Sequence, residues 1–227
     1  QFSARGVSTH IYKSQALPGV PRYTEKQIEA LDVIPRIAAE FEAAFGRASG
    51  GLVRPYRVEG AETVVVALGS VNGTIKDVID AERDAGAAIG SITISSFRPF
   101  PLAELHGLLA GAARVVCVEK SLAPGLGGVL ASNVRMALRG MAVPVYTVIA
   151  GLGGRPITRA SLADVFHLAA DDKLDDVTFL DLNHAVIAQQ LALADRDRHS
   201  GPIAENLLKA LNPGLVRAKP QDERPKP

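Results

Sequence analysis

Cysteine is almost missing from this chain of 227 residues: there is one, Cys117, in the apolar run Val115-Val116-Cys117-Val118. One thiol excludes an internal disulfide, and it falls short of the four ligands an iron–sulfur cluster normally takes. A free cysteine in such a run is expected in the core, as part of a strand. Charge of one sign is also lacking, since 25 Lys and Arg are set against 24 Asp and Glu, a net charge of +1. The basic residues are spread along the chain, so nucleic acid and anionic membranes are poor partners. No long apolar span and no charged-then-apolar leader is present, so membrane insertion is not expected and the cytoplasm is the expected location. The chain opens at Gln1 where an initiator Met would stand, which is compatible with a longer polypeptide.

Several chemical signatures are absent too. CxxC does not occur. Neither does Gly-Asp-Gly with a downstream Asn, the pattern that holds thiamine diphosphate through a divalent ion. The five histidines, His10, His106, His167, His184 and His199, show no metal-ligand spacing with another His, Cys or acid, so no metal site is expected. GxGxxG and the P-loop Lys-Ser/Thr ending are lacking as well.

What is present is an alternation. Residues 1–22 carry Pro18 and Pro21 without periodicity and read as an extended arm. A helix is predicted from Thr24, because Ile28, Leu31, Ala38, Phe41 and Phe45 share one face. Pro35 is expected to kink or restart it, and Gly46 to stop it. Ser49-Gly50-Gly51 through Arg54-Pro55-Tyr56 reads as a linker. Strands are then predicted at Thr63–Leu68, Ile89–Ser95, Arg114–Val118, Val143–Ile149 and Val177–Leu180. Their Val and Ile content suits strands buried on both faces. Helices fall between and after them, near 72–85, 101–111, 127–139, 158–169 and 183–195. The expected fold class is therefore α/β: three layers, with a mostly parallel sheet and helices on both faces. Gly201–Leu211 is expected to add a C-terminal helix, and Pro213–Pro227 a mobile tail.

In such a sheet, ligands gather outside the carboxyl ends of the strands, and five edges stand there. Gly69-Ser70-Val71-Asn72-Gly73 is a turn in which Ser70 or Asn72 can cap the next helix. Ser95-Ser96-Phe97-Arg98-Pro99-Phe100-Pro101 flanks Arg98 with aromatics; it reads equally as a contact surface or as a turn packed on its own core. Glu119-Lys120-Ser121 leads to Pro124-Gly125-Leu126-Gly127-Gly128 at a helix start. The amides there can bind an anion, or the glycines can serve close helix packing. Ala150-Gly151-Leu152-Gly153-Gly154-Arg155 can hold a phosphate or carboxylate, or carry the chain across a neighbouring subunit. Asn183-His184 is the fifth, with His184 an acid–base candidate or simply a helix-start histidine. The residues selected for inter-subunit contact or anion binding are Arg98, Lys120, Gly127, Gly128, Gly153, Gly154 and Arg155. No catalytic residue is assigned.

Taken in order, these landmarks resemble one family. Gly46-Arg47 through Leu52-Val53-Arg54-Pro55-Tyr56, the run Val64–Ser70 with Gly73-Thr74, Phe97–Pro101, Pro124–Leu130 and Ala150–Arg155 are similar to the second core domain of the alpha subunit of pyruvate:ferredoxin and related 2-oxoacid:ferredoxin oxidoreductases. The resemblance covers about residues 24–170. It implies a fold like the C-terminal domain of transketolase-like enzymes, with residues 1–55 as arm, helix and linker ending a preceding domain. Residues 56–196 would be the α/β core domain II, and 197–227 the C-terminal helix and tail. It implies part of a thiamine-diphosphate-dependent enzyme that decarboxylates a 2-oxoacid oxidatively with coenzyme A. The products would be acyl-CoA and carbon dioxide, with electrons passing to ferredoxin or, through another subunit, to NAD. The implied partners are a thiamine-binding beta subunit, a gamma subunit and a ferredoxin-like cluster subunit. Thiamine diphosphate with Mg and [4Fe-4S] clusters would sit on those other parts, and this segment would serve packing and assembly. Two other readings remain: a stand-alone nucleotide- or flavin-binding α/β module, and a non-catalytic interaction subunit.

Overall fold

A computed structural model describes residues 19–196, with side chains from 25 to 193. The predicted helix at 201–211, the tail from 213 and all but the last residues of the arm lie outside the described residues. Helix α1 (Gly19–Phe45) begins earlier than predicted and takes Gly19 to Arg22 out of the irregular arm. It continues through Pro35 as one assigned helix. Gly46 ends it in the left-handed region at φ 66°, its N–H donating to the Glu42 carbonyl at 2.8 Å, as a C-terminal glycine should.

The sheet has six strands in the order β1-β3-β2-β4-β5-β6: β1 (Val53–Tyr56), β2 (Thr63–Ala67), β3 (Ile89–Ile94), β4 (Arg114–Glu119), β5 (Val145–Ile149) and β6 (Val177–Phe179). Strands β2 to β6 are parallel, and only β1 runs antiparallel, against β3. β1 corrects the reading of residues 53–56 as linker. Pro55 was the misleading residue. A proline has no N–H for a ladder and is tolerated at a sheet edge, which is where β1 lies.

Helices α2 (Val71–Asp84), α3 (Leu102–Leu109), α4 (Val129–Ala137) and α5 (Arg159–Ala170) alternate with the strands. Alternate strand residues point to opposite faces, and they build two cores. Val64, Val66, Ile92, Val115 and Cys117 pack with Leu105 and Leu109 of α3 and Leu130 and Val134 of α4. Val65, Ala67, Val116, Val118 and Val148 pack with Ile75 and Ile79 of α2 and Leu162 and Phe166 of α5. Every residue of β2, β3 and β5 is buried, which explains why they read as unbroken apolar runs rather than alternating ones. The three-layer expectation holds. One connection departs from the common rule of a single hand. β4 reaches β5 through α4 on one face, while β5 reaches β6 through α5 on the other, both moving the same way along the sheet. The two crossovers therefore differ in hand, and α5 joins α2 on the face that α2 would otherwise cover alone.

Gly90 inside β3 shows why that strand carries a glycine. A Cβ there would overlap the Arg57 carbonyl oxygen and lie 2.9 Å from Val58 Cα. The turn after β1 therefore presses its main chain directly on the strand. Arg83 holds that turn, donating to the carbonyls of Ile89 at 2.6 Å and Glu59 at 3.0 Å.

The chain divides into two compact units, Gln1–Asp181 and Leu182–Pro227. In the second, α6 (His184–Arg196) begins with Asn183 Oδ1 accepting from the Val186 N–H at 3.1 Å. The sequence reading kept this helix with the core and placed the boundary after residue 196.

Candidate functional site

The strand order creates a switch point. From β2 the chain crosses through α2 to β3 on one side, and from β4 it passes through α4 to β5 on the other. The two connections leave in opposite directions, which opens a crevice at the carboxyl ends of β2 and β4. A cleft of about 570 Å³ lies there. Leu68, Ser70 and Thr74 line it from the β2 end and α2, and Glu119, Lys120 and Ser121 from the β4 end. Arg155 and Ile157 come from the loop before α5, and Phe97 from the loop before α3.

Glu119 is the residue that organises this edge. It closes an otherwise apolar strand and is 7% exposed. Its Oε2 accepts from the Leu130 N–H at 2.8 Å and its Oε1 from the Ala131 N–H at 2.9 Å. Those amides belong to the first turn of α4 and have no partner within the helix. A carboxylate there is also favoured by the helix dipole. The glycines Gly127 and Gly128 leave two readings open in the sequence, an external anion at these amides or close packing of the helix start. In the structure the chain's own carboxylate already occupies the amides. Gly128 makes that possible, because a Cβ would clash with Glu119 Oε1 at 2.0 Å and stand 2.7 Å from Thr147 Cγ2. Gly127, at φ 91°, closes the preceding loop through paired hydrogen bonds with Ala123 of 2.8 and 2.9 Å. The signal for Glu119 was an acid ending an apolar strand. Only the fold brings it under the helix start.

Lys120 and Arg155, selected from different loops, come to the same cleft. A Cβ on Gly151 (φ 74°) would lie 2.9 Å from Lys120 Cε, so the glycine makes room for the lysine stem. Arg155 donates Nη1 to the Asp181 carbonyl at 2.6 Å. Beside it, Thr158 caps α5 by accepting from the Ser161 N–H at 3.1 Å. Gly153 and Gly154, both at positive φ, stand in open space in a single 3-10 turn. Arg98 is not among the cleft residues. Its guanidinium lies 4.2 Å over the Phe97 ring and donates to the Phe97 carbonyl at 2.6 Å. Phe97 meets the buried Phe100 edge-on at 5.7 Å, so this segment packs on its own core while leaving Arg98 exposed.

At the first edge neither predicted cap forms. Ser70 makes no capping hydrogen bond, and Asn72 Nδ2 turns back to the Gly69 carbonyl at 2.9 Å. His184 starts α6 in the second unit. His106 Nδ1 lies 2.8 Å from the Ala137 carbonyl and His167 Nε2 2.8 Å from Glu82. His10 and His199 lie outside the described residues. Among the described residues no three His, Cys, Asp or Glu side chains gather to hold a metal. No helix among them is long and apolar enough to cross a membrane.

Cys117 is fully buried, as predicted, and burial followed by the nearby Glu119 charge pushes its thiol well above the ordinary range. Thiolate is the reactive form. The folded chain is therefore expected to resist a chromogenic disulfide reagent at pH 8 and to react with one equivalent once unfolded in guanidinium. Prompt labelling of the native chain would show that this strand is accessible.

Comparison with known proteins follows the same landmarks. Residues 61–162 match the family described as pyruvate:ferredoxin oxidoreductase core domain II. The pyruvate synthase subunit PorA of Thermotoga maritima is 40% identical over 168 residues, which is 70% of this chain and 43% of that protein. The PorA subunit of Methanothermobacter thermautotrophicus is 39% identical over 142 residues, 62% of this chain and 36% of that one. The alpha subunit of the NADH-dependent phenylglyoxylate dehydrogenase of Aromatoleum evansii is 33% identical over 132 residues, 57% and 32% of the two chains. The chain thus spans less than half the length of each of these relatives. From the edge turn of β2 into α5, it resembles the alpha subunit of the pyruvate:ferredoxin oxidoreductases, in the segment that forms their core domain II.

Proposed function

We propose that this chain is part of the alpha subunit of a 2-oxoacid oxidoreductase, with its α/β unit acting as core domain II. The observation that carries the reading is the 40% identity to a pyruvate synthase subunit over 168 residues. The reaction is the oxidative decarboxylation of a 2-oxoacid with coenzyme A, giving acyl-CoA and carbon dioxide. Electrons pass to ferredoxin or, through a further subunit, to NAD. A relative whose name specifies NADH and phenylglyoxylate supports keeping both the acceptor and the 2-oxoacid open.

The cofactors of such chemistry do not fit this chain. Its one cysteine is buried in β4, and the Gly-Asp-Gly…Asn pattern is absent. When bound elsewhere in the complex, thiamine diphosphate would stabilise the carbanion and iron–sulfur clusters would take single electrons. The contribution of this segment is architectural: a rigid sheet that presents its carboxyl-edge loops to the thiamine-binding beta subunit, the gamma subunit and the cluster subunit.

The test is an anaerobic assay on material captured through this chain from its own host. A viologen dye should be reduced only when a 2-oxoacid and coenzyme A are both present. Pyruvate, 2-oxoglutarate and phenylglyoxylate would be screened in turn. Captured material that reduces no dye with any of them would remove the enzymatic reading.

A further inference from the structure

We propose that the switch-point cleft binds a phosphorylated small molecule of the nucleoside phosphate class, at a site separate from any thiamine chemistry. Three observations carry this. The first is charge. Lys120 and Arg155 are the cations of the cleft, and among the described residues neither forms an ion pair with a carboxylate. The acid in the lining, Glu119, has both oxygens committed to the amides of α4. Glu119 keeps its negative charge, so the lining sets two cations, Lys120 and Arg155, against one carboxylate, and that surplus favours an anion.

The second is position. The N-terminal turn of α2 faces the same space through Ser70 and Thr74, and no side chain caps it. The positive end of the helix dipole adds to the attraction for phosphate. Ser70, Thr74 and Ser121 supply hydroxyl donors around it.

The third is shape. A free phosphate would leave most of a cleft of about 570 Å³ empty. That volume is within the range of small-molecule sites. The lining also includes the apolar side chains of Leu68, Val118, Phe97 and Ile157. Cations and apolar side chains in one cleft suit a ligand with an anionic group on a flat, apolar body. A dinucleotide fits less well, because the turn Gly69-Ser70-Val71-Asn72-Gly73 lacks GxGxxG and so lacks the close approach that a pyrophosphate uses.

The inference does not depend on the oxidoreductase reading, since it concerns side chains of this unit alone. ADP would be titrated into the 227-residue chain by calorimetry at low ionic strength, with adenosine and inorganic phosphate as comparisons. One ADP per chain is expected, and adenosine should bind at least about tenfold more weakly, since charge-assisted hydrogen bonds supply the difference. Lys120→Gln and Arg155→Gln should each weaken ADP by about tenfold, and Lys120→Gln should do so while leaving the melting temperature unchanged. No saturable binding up to about 5 mM ADP, where only sites weaker than ~3 kcal/mol would escape, would overturn the proposal. So would equal affinity for ADP and adenosine, a comparison that needs no variant to fold. ADP binding that both variants retain in full would place the ligand elsewhere and overturn it too.

Discussion

Replacing Gly128 with alanine is expected to destabilise the α/β unit by about 3 kcal/mol, at the upper end of what overpacking a filled site costs. The backbone is not the reason. Gly128 sits at φ −77°, ψ 140°, an extended conformation that alanine adopts freely. The reason is space: the new Cβ would stand 2.0 Å from Glu119 Oε1 and 2.7 Å from Thr147 Cγ2. Glu119 can yield only by giving up its hydrogen bonds to α4, and Thr147, fully buried in β5, has nowhere to go. For a domain of this size the melting temperature should fall by roughly 6–12 °C. A control is built in, because Gly154→Ala meets no atom within 4 Å and should suffer only the milder strain of its positive φ. A fall for Gly128→Ala no larger than for Gly154→Ala would mean that the helix start is not packed on the carboxylate as described.

Glu119→Ala comes next, also expected to cost about 3 kcal/mol. It leaves the Leu130 and Ala131 amides without an acceptor in a buried position, and an unsatisfied buried donor costs about 1–3 kcal/mol. Water entering from the cleft would lower the loss. Glu119→Gln should recover little, since its amide restores one acceptor but turns a donor toward the second N–H. Hydrogen exchange gives the sharper readout. The Leu130 and Ala131 amides should lose protection in Glu119→Ala while the amides of β2 stay protected as far as global stability allows. Unchanged protection at those two amides would show that something other than Glu119 satisfies them. The two substitutions act on one contact, so the double variant should cost less than their sum.

Much of this fold was legible because strand and helix announce themselves differently. The runs at 63–68 and 89–95 are apolar without a break, which marks strands covered on both faces. The segments after them repeat at helical spacing, and Ile75, Val78 and Ile79 of α2 are buried as that spacing requires. β1 was missed because a short strand at an edge needs no apolar run and tolerates Pro55. The start of α1 was placed late because Pro18 and Pro21 resemble an extended arm, whereas a proline is acceptable in the first turn of a helix.

The cleft was legible in part. Lys120 and Arg155 were selected from separate loops because both loops follow parallel strands, and the switch point brings them together. Glu119 was not selected, for a physical reason: its partners are backbone amides, which leave no trace in the identity of Leu130 or Ala131. The glycines of the fourth loop, Gly153 and Gly154, looked equivalent to Gly127 and Gly128 by composition. Yet a Cβ on Gly128 collides with Glu119, while one on either of the other two meets no atom within 4 Å.

Native mass spectrometry of the chain, tagged and purified without oxygen from its own host, tests the central claim most directly. The account predicts one assembly in which this chain is held with further subunits that carry thiamine diphosphate and iron–sulfur clusters. A chain that flies alone, or in a complex carrying neither cofactor, would contradict it.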